Sequence, residues 1–236
     1  MSKEGLDLKR VVLLGRTLEE YRLFFGLNLD QLRDKTILDV ASGVSSFTAE
    51  MREQKFDVTA FDRIYSASAD AIRARCEPDL DEVTRDIADK KAYKWDFYKN
   101  AAGMREFRAR AYKRFLEDFT SHRERYIEGE LPRTPFRDRQ FDFTLASYLL
   151  FVYEDHFSYE FHRDSLRELM RITSGEIRMY PIVTFEAEPS RYLERIRSEP
   201  EFKAWKFEVV PTDFEFLRGS NCFLRLTPAG AEASHR

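Results

Sequence analysis

Apolar and polar positions along the chain fall into blocks that alternate between strand and helix periods. Thr17-Leu18-Glu19-Glu20 has the form of a capping box, and Leu18, Tyr21, Leu23, Phe24 and Phe25 follow before Gly26. This pattern predicts a short helix that Gly26 stops. Thr36-Ile37-Leu38-Asp39-Val40 is a compact apolar run, as in a buried strand. Small residues occupy positions 41–46, and Ser45 or Ser46 can cap a helix beginning near Phe47. Residues 56–62 read as a second strand ending on Asp62. Strand, small-residue turn, helix, strand and acid in that order describe the first βαβ unit of a doubly wound sheet.

Residues 66–124 read as mostly helical, with Pro78 separating a helix over 68–77 from one over 80–90. Met104, Phe107, Ala111, Phe115 and Phe119 recur at spacings of three and four, an amphipathic stripe on a longer helix. Further strands are expected at 125–129, 141–147 and 176–183, with helices at 157–172 and 189–198. Two last strands, 207–216 and 222–226, can pair as a hairpin around Gly219-Ser220. The fold class is therefore α/β. One domain over residues 1–236 is expected, with 66–124 as a helical insertion forming a lid.

Composition narrows the choice. With 43% hydrophobic and 34% charged residues in 236, the chain reads as a soluble globular domain. Only 9 residues are Gly, so a Gly-rich pyrophosphate loop is disfavoured. The net charge of −3 argues against a strongly basic nucleic-acid binder. Cys76 and Cys222 cannot by themselves make a disulfide framework or a thiolate metal site, and no metal is expected. No run reaches the ~18 apolar residues of a membrane span, and residues 1–5 do not resemble a signal peptide. A cytoplasmic location is the expectation, with no membrane partner.

Motif chemistry points to a nucleotide-like ligand without phosphates. Positions 41, 43 and 46 are Ala, Gly and Ser, which departs from the G-x-G-x-x-G of dinucleotide binding. Asp62 lies 23 residues after Asp39, where an acid can bond a ribose diol. Residues 37–47 resemble motif I of the class I S-adenosylmethionine-dependent methyltransferases, keeping Asp39 and Gly43 but with Ala41 and Ser45 at flanking glycines. Residues 129–136, followed by Phe141-Asp142, resemble the same family's segment before strand four. The resemblance implies a Rossmann-like, doubly wound, seven-stranded sheet, mostly parallel with a C-terminal antiparallel hairpin. It implies S-adenosylmethionine as cofactor, held by Asp39, Ala41, Ser42, Gly43, Ser45, Ser46, Asp62, Arg63, Glu130, Leu131 and Ser147. Asp39 and the 41–46 turn would take the methionine end, Asp62 the ribose, and Glu130 and Leu131 the adenine. Segments 149–153, 160–162, 177–181 and 214–221 are similar to an uncharacterised bacterial branch.

The catalytic assignment is open, with Tyr148, His156, Glu160, His162 and Arg218 as candidates. His156 and His162 are six apart, not the four that puts two metal ligands on one helix face. Either can be a general base or a packed histidine. Tyr148 can be pocket wall, and Arg218 either a turn residue or a clamp for a substrate anion. The expected function is methyl transfer to a small-molecule acceptor. Alternatives are an RNA or protein methyltransferase, or a non-catalytic cofactor-binding regulatory module, which Ala41 and Ser45 motivate. Residues 146–149 lack the Asp/Asn-Pro-Pro-aromatic motif of amino-group nucleic-acid methyltransferases. The arginine-rich helical stretch 99–125 reads as a solvated face, with RNA binding as the other reading. Homo-oligomerisation stays open.

Overall fold

The computed structural model describes residues 11–230, so the segment 1–5 discussed above lies outside the described residues. Helix α1 (Leu18–Phe24) opens as its capping box requires: the Glu20 amide donates to Thr17 Oγ1, and the Thr17 amide donates to Glu20 Oε2. Gly26, at φ +58°, ends it with a Schellman pair, the Gly26 amide on the Leu23 carbonyl and the Leu27 amide on that of Arg22. Strand β1 (Thr36–Val40) leads through the small-residue turn to α2 (Phe47–Glu53), then β2 (Asp57–Asp62). Ser46 holds the N-cap position of α2 without a side-chain capping bond, and the hydroxyl of Ser45, one residue earlier, accepts from the Phe47 amide at 3.1 Å.

Helices α3 (Ala69–Ile87) and α4 (Ala101–Ser121) follow. Pro78 does not divide α3, contrary to the sequence pattern. One helix carries Ile72, Cys76, Leu80, Val83 and Ile87 into the core on a continuous face. Burial of that stripe against α4 and the sheet outweighs the one backbone bond that Pro78 removes. On α4 the expected stripe is buried at Met104, Ala111, Phe115 and Phe119, and Arg108 is buried among them. Its other arginines pair with acids nearby: Arg105 with Glu77 and Asp81, Arg110 with Glu19, Arg114 with Glu53 and Glu117.

The chain continues through β3 (Tyr126–Glu128), β4 (Phe141–Ser147), α5 (Tyr159–Ile172) and β5 (Thr173–Tyr180). A short α6 (Leu193–Arg197) precedes β6 (Trp205–Pro211) and β7 (Cys222–Pro228). Strand β5 starts earlier than 176, and β6 ends before 212, leaving a long connection to β7. The sheet order is β3-β2-β1-β4-β5-β7-β6, with β7 antiparallel to both β5 and β6 and the rest parallel. This is the Rossmann-like, doubly wound architecture that the resemblance implied. No helix among the described residues is long and apolar enough to cross a membrane.

Candidate functional site

A cavity of about 760 Å³ opens at the carboxyl ends of β1, β2, β3 and β4. Ligands of open α/β sheets bind at this edge, where the strand order reverses between β1 and β4. Val40 to Gly43, Phe61 to Ile64, Gly129 to Leu131 and Ser147 to Leu149 all line it. Residues 66–124 contribute Arg75, Val83, Ile87, Tyr93, Met104 and Arg108, among others.

The turn after β1 is built by left-handed backbone at Ala41 and Gly43, both at φ +54°. Gly43 reaches this conformation freely, whereas Ala41 is strained by its Cβ. The Gly43 amide donates to Asp62 Oδ2 at 2.9 Å, and its carbonyl accepts from the Tyr65 hydroxyl at 2.9 Å. A Cβ on Gly43 would stand 4.0 Å from Asp62 Oδ2, at the cavity wall. Asp62 Oδ1 accepts from the Ile64 amide at 2.9 Å. Burial pushes the Asp62 carboxyl above its ordinary value, while those two amides and Arg63 hold it back. Each oxygen keeps a second lone pair for a ligand hydroxyl.

Asp39 is fully buried and does not line the cavity. It stands one layer below, accepting from Ser42 Oγ at 2.6 Å and from the Tyr21 hydroxyl at 3.0 Å. Its role is to hold Ser42 and Tyr21, which do line the cavity. Ser45 lines it too, but Ser46 does not; its hydroxyl donates to Glu50 at 2.6 Å. Arg63 and Glu130 face each other at 3.4 Å on the exposed rim. Leu131 and Ser147 line the wall, Ser147 being 3.1 Å from Tyr21 Oη.

The five catalytic candidates separate. Tyr148 and His156 line the cavity. Tyr148 is held at φ +53° and its amide donates to the Tyr180 carbonyl at 2.7 Å. The other three lie off the lining. Glu160 is exposed on the first turn of α5. His162 is buried with both ring nitrogens engaged: Nε2 accepts from the Phe151 amide at 3.0 Å, so Nδ1–H donates to the Ser158 carbonyl at 2.9 Å. Burial pushes its pKa down, and the ring is a neutral packing element with no nitrogen left for a reacting group. Arg218 is exposed and ties the β6–β7 connection to residues 91–92 through the Lys91 and Ala92 carbonyls.

Two contributors escaped the sequence reading. The segment 11–16 crosses the small-residue turn, with Gly15 so near it that a Cβ would meet the Val44 carbonyl at 2.3 Å. The Arg16 carbonyl accepts from the Ser46 amide at 3.0 Å and the Ser45 hydroxyl at 2.8 Å, and its guanidinium lies 3.4 Å from the Tyr148 ring centroid. Behind it, Glu20 receives Arg108 and the Tyr98 hydroxyl, all three fully or nearly buried. Burial pushes Glu20 up, but Arg108, Tyr98 and the Thr17 amide hold it below its ordinary value. An isolated Gly-Arg pair carries no periodic signal, so nothing local marks this segment. The described residues contain no group of three or more His, Cys, Asp or Glu placed to hold a metal ion.

The chain is 39% identical over 218 residues to an uncharacterized protein of Methanocaldococcus jannaschii, MJ0045, covering 92% of this chain and 96% of that one. It belongs to the same family. The MJ0045 relative is archaeal, so it lends no support to the bacterial affiliation expected from the C-terminal segments. No family model matches. Among solved structures, similar chains include the magnesium protoporphyrin IX methyltransferase of Synechocystis PCC 6803 with bound SAH, at TM-score 0.47 and 10% identity, covering 90% of this chain and 81% of that one. The PH0226 protein of Pyrococcus horikoshii OT3 gives TM-score 0.43 and 15% identity over 89% and 90% of the two chains. A SAM dependent methyltransferase of Aquifex aeolicus gives 0.39 and 13% over 82% and 81%.

Proposed function

We propose that this protein is an S-adenosylmethionine-dependent methyltransferase acting on a small-molecule acceptor. The observation that carries the reading is the Asp62–Gly43 pair: a half-buried carboxylate at the end of β2, 2.9 Å from the amide of a glycine whose missing side chain leaves the cavity wall open. That cradle fits a ribose diol on Asp62 and a phosphate-free chain along the 41–45 turn. When bound, the cofactor supplies an electrophilic methyl group on sulfonium sulfur.

The chain's own residues position and enclose. Asp62 accepts two ribose hydroxyls. Leu131 and Phe61 give the adenine an apolar wall, with Glu130 at its edge. Tyr21, Ser147 and Tyr148 border the methionine end, where the acceptor approaches. Residues of the 66–124 segment close the acceptor side and exclude water. Holding the acceptor in line with the methyl group supplies much of the rate in such a displacement. His156, exposed at the cavity, can receive the acceptor's proton.

Calorimetric titration with S-adenosylhomocysteine tests this. Binding is expected, and Asp62→Ala should weaken it by about tenfold or more, the loss of charge-assisted hydrogen bonds. No binding by the parent protein sinks the proposal.

A further inference from the structure

The cavity lining divides by chemistry. Its strand-end side carries Gly43, Asp62 and Leu131. A second part of the lining is formed by Tyr93, Met104, Tyr153, Phe157, Phe185 and Phe216. These six pack in or against one hydrophobic cluster, whereas Phe61 and Leu131 belong to another. Tyr153 meets Phe185 edge-on at 4.8 Å, and Tyr93 lies 5.0 Å from Phe216. Ring faces and edges around a cavity favour a flat ring over a flexible chain, because aromatic pairs gain from offset and edge geometry.

Charge narrows the occupant further. Arg63 pairs with Glu130, Arg75 with Asp79 and Arg108 with Glu20, and Asp62 is spanned by two amides. Of the cationic lining residues, Arg16 makes no ion pair within 4.0 Å among the described residues. Its Nη1 donates to the Leu14 carbonyl at 3.0 Å, and its buried Nε–H has no acceptor among the described residues. The guanidinium carbon lies 3.4 Å from the Tyr148 ring centroid, and the N–H groups not engaged by Leu14 suit a carboxylate. Tyr148 itself packs against the aromatic cluster, so this cation stands at the margin of the aromatic side.

We infer that the aromatic side of the cavity receives the methyl acceptor, and that the acceptor is an aryl carboxylic acid. Its ring lies among Tyr153, Phe157 and Phe185, and its carboxylate meets Arg16. This rests on the methyltransferase reading above, and it assigns Arg16 to the acceptor, not to the cofactor's own carboxylate.

The test titrates protein saturated with S-adenosylhomocysteine, using naphthoate, the neutral naphthylmethanol and octanoate at low salt. Naphthoate should bind about tenfold or more tightly than either of the others. Arg16→Gln should remove the preference for naphthoate over naphthylmethanol while leaving S-adenosylhomocysteine affinity within about twofold; Arg16→Lys should keep part of the preference as a point charge. Equal binding of acid and alcohol, tighter binding of octanoate, or a loss of S-adenosylhomocysteine affinity in Arg16→Gln as large as that of naphthoate overturns the inference. If no aryl compound binds the saturated protein, the inference falls and the cofactor reading stands. If S-adenosylhomocysteine does not bind, both fall.

Discussion

The Tyr21 hydroxyl lies 3.0 Å from each carboxylate oxygen of Asp39 and 3.1 Å from the Ser147 hydroxyl. One phenol thereby links α1, the end of β1 and the end of β4 at the floor of the cavity. Burial pushes the Asp39 carboxyl up to about 7, against the donated bonds from Ser42 and Tyr21, and the neighbouring Asp62 carboxylate adds to the rise. The acid that resembles the family's motif I residue is thus a buried structural group that titrates near neutrality.

This sets a pH dependence of stability. The unfolded chain loses this proton near the ordinary value of 3.8, and the folded chain holds it to about 7. Between those values the folded state binds more protons, so the contribution of this group falls as pH rises and levels off above about 7. Asp39→Asn removes the effect. Its stability relative to the parent should climb through that window, by at most ~1.4 kcal/mol per pH unit. Urea unfolding at a series of pH values measures the difference; a flat difference would show that Asp39 does not titrate there.

Glu20 and Arg108 form a buried ion pair joining α1 to α4, with Tyr98 completing it. Glu20→Ala strands the guanidinium and also removes half of the capping box, so we expect a loss of about 3–5 kcal/mol. Replacing both partners by apolar residues, as in Glu20→Leu with Arg108→Met, should be less harmful than the single change. Chemical denaturation of Glu20→Ala, of the double variant and of its two components, Glu20→Leu and Arg108→Met, decides. A double variant as unstable as the sum of its singles would mean that the pair has no mutual coupling.

Ala41 holds a left-handed conformation that its Cβ opposes. Ala41→Gly should stabilise the folded protein by about 0.5–1 kcal/mol, the relieved strain less the extra chain entropy of glycine. Thermal unfolding should show a higher Tm with S-adenosylhomocysteine affinity kept or improved. A lower Tm would mean that strain at this turn is already relaxed by its neighbours.

His162→Ala leaves the Phe151 amide and the Ser158 carbonyl without their buried partner, a loss of about 1–3 kcal/mol. Cofactor affinity should be unaffected, because the ring does not line the cavity. The folded pKa lies below the ordinary 6.5, so the unfolded chain takes up a proton first as pH falls. The parent therefore loses stability below about 6.5 through this group, and the variant should lack that component. Altered S-adenosylhomocysteine binding in His162→Ala would contradict the structural role.

Some of this was legible in local sequence. The capping box at Thr17 and Glu20, the strand at Thr36–Val40 and the small-residue turn after it follow rules that act within a few residues. Pro78 shows where such rules mislead: removing one backbone bond is a local penalty, and the buried stripe from Ile72 to Ile87 exceeds it. His162 misled for a different reason. A histidine near a helix start suits both a base and a core residue, and only the positions of the Phe151 amide and Ser158 carbonyl distinguish them.

Hydrophobic period, turn residues and the order of acids determined the alternation of strands and helices, the βαβ unit and the place of Asp62 at the end of β2. These depend on side-chain alternation and backbone sterics, which are written in neighbouring residues. The tertiary structure alone decided that Asp39 lies beneath the cavity, that Arg108 is spent on Glu20, and that Arg16 reaches Tyr148. Those outcomes depend on which strands lie side by side and how far the segment 11–16 sinks toward the turn. Burial and pairing between residues remote in sequence set the charge, access and orientation of each group.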